Sequence, residues 1–383
     1  MGIYLDYNAS APIDERVLDV IISGYKNIVG NADSRTHDFG DNARKNVEDA
    51  RQKVASLLAV KKDEIFFTSG ATESNNISLL GLRDYGIQNN KKHIIVSSIE
   101  HKAVIEAAKS LEKDSFEIDF LKPDLSGRVS IEDLKMKVRD DTLVVSIMHA
   151  NNETGIIQPV KEIGDYLYDL PIFFHVDATQ SVGKLVDDLR DMKYDMLSFS
   201  AHKIGGPQGI GVLVLRKKRY KLPPIKPIMF GGKQEHGIRP GTLPNALIMG
   251  LGKACELVEL EYKENEKKYM TLRKQICIML ENSGLVYGFN GNQDYCLANT
   301  MNLYLEGVSS EALMLSTKDY CGVSNGSACN SSSYEPSYVL KEMGIPIERI
   351  ENSIRISWGP DMKMEELEKD FTSLLKIAKE LIF

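Results

Sequence analysis

Apolar positions along the chain fall into two alternating rhythms. Short apolar runs recur at Ile65–Thr68, His93–Ser97, Glu117–Leu121, Thr142–Met148, Ile172–Val176, Met196–Ser200 and Gly209–Leu215, each of a length suited to a buried strand. Between them lie segments with helical spacing, and that alternation predicts an α/β unit around a mostly parallel, seven-stranded sheet. Ahead of it, Asp14 is placed to cap a helix carrying Val17, Leu18, Ile21 and Tyr25 on one side. A second helix follows the polar loop of residues 30–37, because Ala43, Val47, Ala50, Val54 and Leu57 step by four, three, four and three. Pro12 keeps Ala11 out of helix, so the chain begins with a short extended segment.

Beyond Gly231-Gly232 the pattern lengthens. Leu251, Ala254, Val258, Tyr269, Leu272 and Ile276 form the stripe of one long amphipathic helix, with Gly284 as its stop. The remainder reads as a smaller α+β unit: strands at Thr300–Leu305 and Ser353–Ser357, a loop through Cys329, and a last helix after Met362. With 383 residues, 43% of them hydrophobic, the chain has material for more than one domain. A formal charge of −7 argues against a direct grip on nucleic acid. No apolar run approaches the ~18 residues of a membrane span, and the N-terminus lacks a signal-peptide pattern, so a cytoplasmic protein is expected. Five cysteines without a C-x-x-C suggest neither a disulfide framework nor a metal site.

Composition narrows little further; the strand ends do. Ser198-Phe-Ser-Ala-His-Lys203 puts a lysine where a buried strand gives way to the glycine-rich turn that follows. A desolvated amine there is a carbonyl trap, although a surface lysine in a loop has the same spacing. Upstream, His175-Val-Asp-Ala-Thr-Gln-Ser181 ends another strand on Asp177. A Schiff-base lysine and an acid for a pyridinium nitrogen are the minimum equipment for pyridoxal phosphate (PLP). Thr68-Ser-Gly-Ala-Thr-Glu-Ser-Asn75 places glycine at a strand-to-helix turn, where backbone N–H groups and the helix dipole favour a phosphate. A plain capped helix start looks similar; beside Lys203 and Asp177 it becomes a phosphate cradle.

Further strand ends carry His101, able to stack on a ring and move protons, and Asn152, whose amide suits a ring oxygen and whose neighbours suit a turn. Cys329 lies in Gly322-Val-Ser-Asn-Gly-Ser-Ala-Cys-Asn-Ser-Ser-Ser333, a run of small polar residues that predicts an exposed, mobile thiol and a candidate nucleophile. Cys255, Cys277, Cys296 and Cys321 read as structural. Arg355, in the strand Ser353–Ser357, needs a partner if it points inward, and a substrate carboxylate is one.

In this order and density the motifs resemble those of PLP-dependent cysteine desulfurases of the class V aminotransferase type, from Tyr4 to beyond Trp358. The resemblance rests on Tyr-Leu-Asp-Tyr-Asn (4–8), Thr-Ser-Gly-Ala-Thr-Glu-Ser (68–74), Glu-His-Lys-Ala-Val (100–104) and Asn-Asn-Glu-Thr-Gly (151–155). It continues through His-Val-Asp-Ala-Thr-Gln-Ser (175–181), Ser-Phe-Ser-Ala-His-Lys (198–203), Arg-Pro-Gly-Thr (239–242) and Gly-Ser-Ala-Cys (326–329). The last motif, with its long following loop, resembles the long-loop group that serves iron–sulfur and thiolation pathways.

The resemblance implies the type I fold of PLP-dependent transferases, with a large domain over residues 14–256. A small α+β domain from residues 1–13 and 257–383 would carry the Cys329 loop, and the molecule would be a homodimer. Lys203 would hold PLP covalently, Asp177 would pair its ring nitrogen, and His101 would stack on its face. Gln180 and Asn152 would approach the ring oxygen; Ala71, Thr72, Ser200 and His202 would hold the phosphate, with Thr242 reaching in from the other subunit. Arg355, Asn8 and Asn152 would hold the carboxylate of L-cysteine, and Cys329 would take its sulfur as a persulfide, releasing alanine. The sulfur would pass to an acceptor protein, a cluster scaffold or an enzyme of tRNA or DNA sulfur modification. Ser10, Lys233, His236 and Pro240 depart from the family's usual residues. Selenocysteine lyase and other class V aminotransferase activities are the alternatives within the same chemistry; a non-catalytic scaffold is the alternative outside it.

Overall fold

A computed structural model describes residues 2–325 and 335–382. Seven strands form the main sheet in the spatial order Ile65–Thr68, Gly211–Leu215, Met196–Ser200, Phe173–Asp177, Thr142–Ser146, His93–Ser97 and Glu117–Leu121. Every pairing is parallel except those made by Gly211–Leu215, which runs antiparallel to both neighbours. The apolar runs explain this arrangement: strands covered by helices on both faces must be apolar throughout. All five residues of His93–Ser97, Thr142–Ser146, Met196–Ser200 and Gly211–Leu215 are buried, whereas Glu117–Leu121, at the sheet edge, is largely half-exposed.

The strand ends differ slightly from the sequence reading. Thr142–Ser146 stops two residues early, and the Glu100 carboxylate takes the Met148 N–H at 2.5 Å. Phe173–Asp177 extends one residue further, because Asp177 still pairs with Ser198. Gly211–Leu215 begins only after Gly209, whose φ of +83° turns the chain out of the loop bearing Lys203.

Two helices, Glu15–Asn27 and Asp38–Leu58, pack on the helix Asn245–Glu281. Small residues bring the backbones together: a Cβ on Gly252 would stand 2.7 Å from Ala50 Cα, and one on Gly250 would stand 2.6 Å from Ile21 Cγ1. The spacing Ala43, Val47, Ala50, Val54, Leu57 is buried as expected. The first helix is read differently. Val17 and Ile21 face inward with Gly24, which meets Ala246, while Leu18 and Tyr25 are exposed. The inward stripe there is narrow because a glycine, not a large apolar residue, fills its third position. Asn245–Glu281 is a single 37-residue helix, roughly 55 Å long. It ends on Asn282, and Gly284 takes the left-handed turn (φ +71°) two residues later.

Past this helix, Ser353–Ser357, Thr300–Leu305 and Tyr287–Phe289 form an antiparallel sheet, and the helix Met364–Glu380 packs into the same core. The chain's first residues join them. Ile3–Tyr4 pairs parallel with Cys321–Gly322, and Ile3 and Leu5 share a core with Leu272, Met301, Trp358 and Phe371.

One feature of the main sheet fixes its acid response. His175 is fully buried between strands, its Nδ1 2.8 Å from Ser146 Oγ and its Nε2 3.0 Å from Ser198 Oγ. Burial pushes the pKa values of His175 and His149 down to about 4, with Asp177 opposing that shift at His175. Both rings are therefore neutral in the folded chain, while the unfolded chain protonates them near pH 6.5. Their contribution to stability is present above that pH and is lost as pH falls towards 4. In urea unfolding between pH 7 and 4, stability should fall steeply, and His149→Gln should reduce the slope by about one proton. An unchanged slope would contradict the assignment.

Candidate functional site

The carboxyl ends of the parallel strands open into a cavity of about 1140 Å³. Asn8, Ala71, Thr72, His101, Asn152, Asp177, Gln180, Ser200, His202, Lys203 and Arg355 all line it. The sequence therefore named eleven residues that the fold gathers in one place. Thr242 is exposed and is not among the residues lining its own chain's cavity. Cys329 lies outside the described residues.

Lys203 ends the short turn Ala201–Lys203 that follows Met196–Ser200. Its Nζ donates to the carbonyls of Asn8 and Ala9, both at 2.6 Å. Asp177 ends its strand with Oδ2 accepting from Asn75 Nδ2 at 2.7 Å and Oδ1 accepting from the Thr179 N–H at 2.9 Å. His101 caps the helix Lys102–Ser110: its Nδ1 accepts from the Ala103 N–H at 3.2 Å, which leaves Nε2 to carry the proton. Burial lowers the His101 pKa; Asp177 opposes this and Lys203 adds to it, so the ring is neutral at physiological pH.

The phosphate-type pattern is also built. Gly70 opens the helix Ala71–Leu80 without a capping side chain, so its first-turn N–H groups are open to an anion. A Cβ on Gly70 would lie 3.5 Å from Ser200 Oγ, and its φ of +156° suits glycine. Glu73 folds back so that its Oε2 accepts from the Ser69 N–H at 2.5 Å, and Arg239 Nε donates to its Oε1 at 2.9 Å. Burial alone would raise the Glu73 pKa, yet the Arg239 and Ser69 hydrogen bonds hold it below the usual value. Beside the cradle, His202 Nδ1 is 3.2 Å from Ser10 Oγ, so the departure at Ser10 still presents a hydroxyl. Burial, with Lys203 adding to it, pushes His202 down to about 4.

Arg355 is buried, with Nη2 donating to Asp6 Oδ1 at 2.6 Å and Nη1 to the Asn152 carbonyl at 3.0 Å. Among the described residues its Nε has no partner, and neither do Asn75 Oδ1, Ser98 Oγ, Asn152 Oδ1 or Thr179 Oγ1. All five residues line the same cavity. Buried polar atoms are rarely left unpaired, so such a convergence marks a polar ligand. Asn152 is presented by a turn in which Asn151 Oδ1 accepts from the N–H groups of Glu153 and Thr154, each at 2.9 Å. Gly155 closes it at φ +76°, where a Cβ would be 2.9 Å from Cys296 Sγ.

Asn75, Asp6, Glu73, Arg239 and Glu100 carry roles that sequence reasoning did not assign. Asp6, Glu73 and Glu100 sit inside quoted motifs, but only folding shows what each carboxylate faces. The loop bearing Thr242 has its own anchor. Glu235, at φ +48°, accepts from Arg51 Nη2 at 2.7 Å, Arg51 Nη1 at 2.9 Å and the Phe67 N–H at 2.7 Å. His236, also left-handed, is exposed with its ring against the edge of Phe66; Pro240 is buried and Lys233 exposed. Among the described residues no cluster of His, Cys, Asp or Glu could hold a metal ion.

The sequence matches the family Aminotransferase class-V over residues 3–369. It is 42% identical over 371 residues to cysteine desulfurase IscS of Photorhabdus laumondii subsp. laumondii, covering 96% of this chain and 90% of that protein. Among solved structures it is similar to DndA from Streptomyces lividans (44% identity, TM-score 0.81, 91% of this chain and 97% of that one). A NifS-like protein matches at 35% identity and a TM-score of 0.90 over 100% of both chains.

Glu153 supplies a test of the site's electrostatics. It is fully buried, with Oε2 accepting from Ser337 Oγ at 2.5 Å, and burial pushes its pKa up to about 7 against the pull of Ser337 and Arg355. Folding therefore takes up a proton, and this group costs stability as pH rises from the unfolded value towards 7 and beyond. Glu153→Gln can still accept from Ser337 and should be more stable than the parent at pH 8, by up to about 3 kcal/mol, but no more stable than the parent at pH 5. A gain of equal size at both pH values would contradict this.

Proposed function

The chain belongs to the class V aminotransferase family, and within it we propose a homodimeric cysteine desulfurase. It converts L-cysteine to L-alanine and passes the sulfur, as a persulfide on Cys329, to an acceptor protein. The observation that carries the reading is the gathering around one cavity of an amine, Lys203, a guanidinium whose Nε is unpaired among the described residues, Arg355, and an open helix N-terminus. An amino acid and a phosphorylated cofactor need that combination. The enzyme is PLP-dependent, and the residues present fit PLP: the unpaired Asn152 Oδ1 and Thr179 Oγ1, the uncapped first turn after Gly70, and the Asp177 carboxylate held by Asn75.

Lys203 would hold the cofactor, Asp177 its ring nitrogen, His101 its face, and Gln180 and Asn152 its ring oxygen. Ala71, Thr72, Ser200 and His202 would hold its phosphate, with Thr242 contributed across the dimer. When bound, PLP supplies the electron sink that stabilises negative charge on the substrate's carbons. Arg355 binds the substrate carboxylate bidentately, steadied from behind by Asp6, while Asn8 and Asn152 complete the pocket. The Lys203 amine moves the Cα proton, and neutral His101 serves as a further proton carrier. The Cys329 thiolate then attacks the substrate sulfur: the S–S bond forms as the Cβ–S bond breaks. The electron pair stays on the carbon fragment, which takes up a proton to become alanine.

An apolar strip exposed on the first helix, Leu18, Ile22 and Tyr25, together with an exposed Thr242 that does not line its own chain's cavity, supports the dimer. Two main cores, one drawn from residues 32–255 and the other from residues 3–5 and 272–378, support a division into residues 14–256 and residues 1–13 with 257–383. The charge of −7 favours a protein acceptor over direct contact with nucleic acid. Among the described residues no helix is long and apolar enough to cross a membrane.

With L-cysteine and a thiol reductant, purified enzyme should release alanine and sulfide in equal amounts. Cys329→Ser should lower sulfide release by roughly 10³-fold while keeping the yellow colour of the bound cofactor; Lys203→Ala should abolish both. An aminotransferase or a selenocysteine lyase working without this thiol would keep its activity in Cys329→Ser. That result would overturn the reading.

A further inference from the structure

Seven residues past the strand that ends on Asp177, and outside every motif above, the chain places a second lysine against the site. Lys184 Nζ donates to the Gln180 backbone carbonyl at 3.0 Å and to Gln180 Oε1 at 3.2 Å. At the other end of the same amide, Gln180 Nε2 donates to the Asn8 carbonyl at 2.9 Å, the carbonyl that also accepts from Lys203 Nζ at 2.6 Å. The placement is enforced by the backbone. Two turns close from Ser181 and Val182 onto the Ala178 carbonyl, and two more from Lys184 and Leu185 onto that of Ser181. Between them Gly183 takes φ +89°, where a Cβ would meet Ile204 Cγ2 at 3.0 Å. Lys184 is thereby folded back onto Gln180.

We propose that Lys184 is a positioning residue: it locks the Gln180 amide with its NH₂ towards Asn8 and the cofactor's ring oxygen, and it sets a positive charge next to Lys203. This rests on the reading of Gln180 as a donor to that oxygen. The chemistry of the two ends leaves one orientation. An ammonium only donates and a backbone carbonyl only accepts, so a flipped amide would face N–H with N–H and C=O with C=O. Without the ammonium the flip costs only one hydrogen bond, and the cofactor oxygen would meet a lone pair in some molecules and a donor in others.

The charge acts in the same direction. Burial and then Lys203 push the Lys184 pKa down to about 7, so the two amines disfavour each other's protonation. The other groups of this floor do not cancel the effect. His101 and His202 are neutral, burial and then Asp177 push the Glu100 pKa well above the usual carboxylate range, and among the described residues no carboxylate counters the shift at Lys184. A cation beside a nucleophilic lysine is one of the ways proteins keep such an amine reactive at neutral pH.

The test is a pH titration of the visible absorption of the holoenzyme, with cofactor content and dimer state checked for every variant. Loss of the charge and loss of the fixed donor both let the bound cofactor keep its proton to higher pH. Lys184→Met should therefore raise the titration midpoint by roughly 1 unit, and Lys184→Arg, which donates and stays charged, should restore most of it. Lys184→Gln stands in if the Met variant fails to fold, with the same upward shift expected. Gln180→Ala separates the premises. If it leaves the midpoint unchanged, the reading of Gln180 itself fails. If it shifts the midpoint while Lys184→Met and Lys184→Gln change thermal stability alone, Lys184 is merely structural and the proposal is overturned.

Discussion

The structure turns on Asn8. Its carbonyl accepts from Lys203 and from Gln180, both on loops of the main sheet, at 2.6 and 2.9 Å. Its N–H donates to Ser357 Oγ at 2.9 Å, and its Nδ2 donates to Thr300 Oγ1 at 3.0 Å and to the Asn152 carbonyl at 3.2 Å. One nearly inaccessible residue, through its backbone and its side chain together, therefore ties both cores to the site. Displace it and the Lys203 amine, the Gln180 amide and the turn that presents Asn152 each lose a fixed reference. Neighbouring residues repeat the pattern on a smaller scale: Asp6 reaches Arg355, and Leu5 packs with Trp358. The first residues of the chain work as a pin through the site.

Around that pin the fold keeps ionised groups few and placed. Parallel strands buried on both faces leave their carboxyl ends as the place where polar side chains meet a cavity, and there burial decides each charge. It holds His101 and His202 neutral and pushes the Glu100 pKa well above the usual carboxylate range, while Arg355 keeps its Asp6 partner. What lines the same cavity beside the open helix N-terminus is Asp177, Arg355 and Lys203. Such a site pre-orders its donors before any ligand arrives, which is what makes electrostatic stabilisation effective in a closed pocket.

Much of this was legible in the sequence. Strands announced themselves as continuous apolar runs, and the residues at their ends, His101, Asn152, Asp177 and Lys203, came with them. What escaped was set by three-dimensional closeness rather than by local pattern. Nothing in the spacing of Ser69 to Asn75 says that Glu73 turns towards Arg239 or that Asn75 reaches Asp177. Lys184 lies outside every motif, and only the turn at Gly183 folds it back onto Gln180. Leu18 and Tyr25 were read as core because they are apolar at nearly helical spacing; the glycine at position 24 takes the inward place instead. Thr242 is exposed and does not line its own chain's cavity, which its motif did not announce.

The account stands on an amine at position 203 and a thiol at position 329 serving one substrate molecule in succession. Peptide mass spectrometry after a single turnover with one equivalent of L-cysteine, without reductant, tests that link most directly. The account predicts a mass increment of one sulfur atom on the peptide holding Cys329, in the wild type and not in Lys203→Ala. The same increment on Cys255, Cys277, Cys296 or Cys321, or on Cys329 in the absence of Lys203, would contradict it.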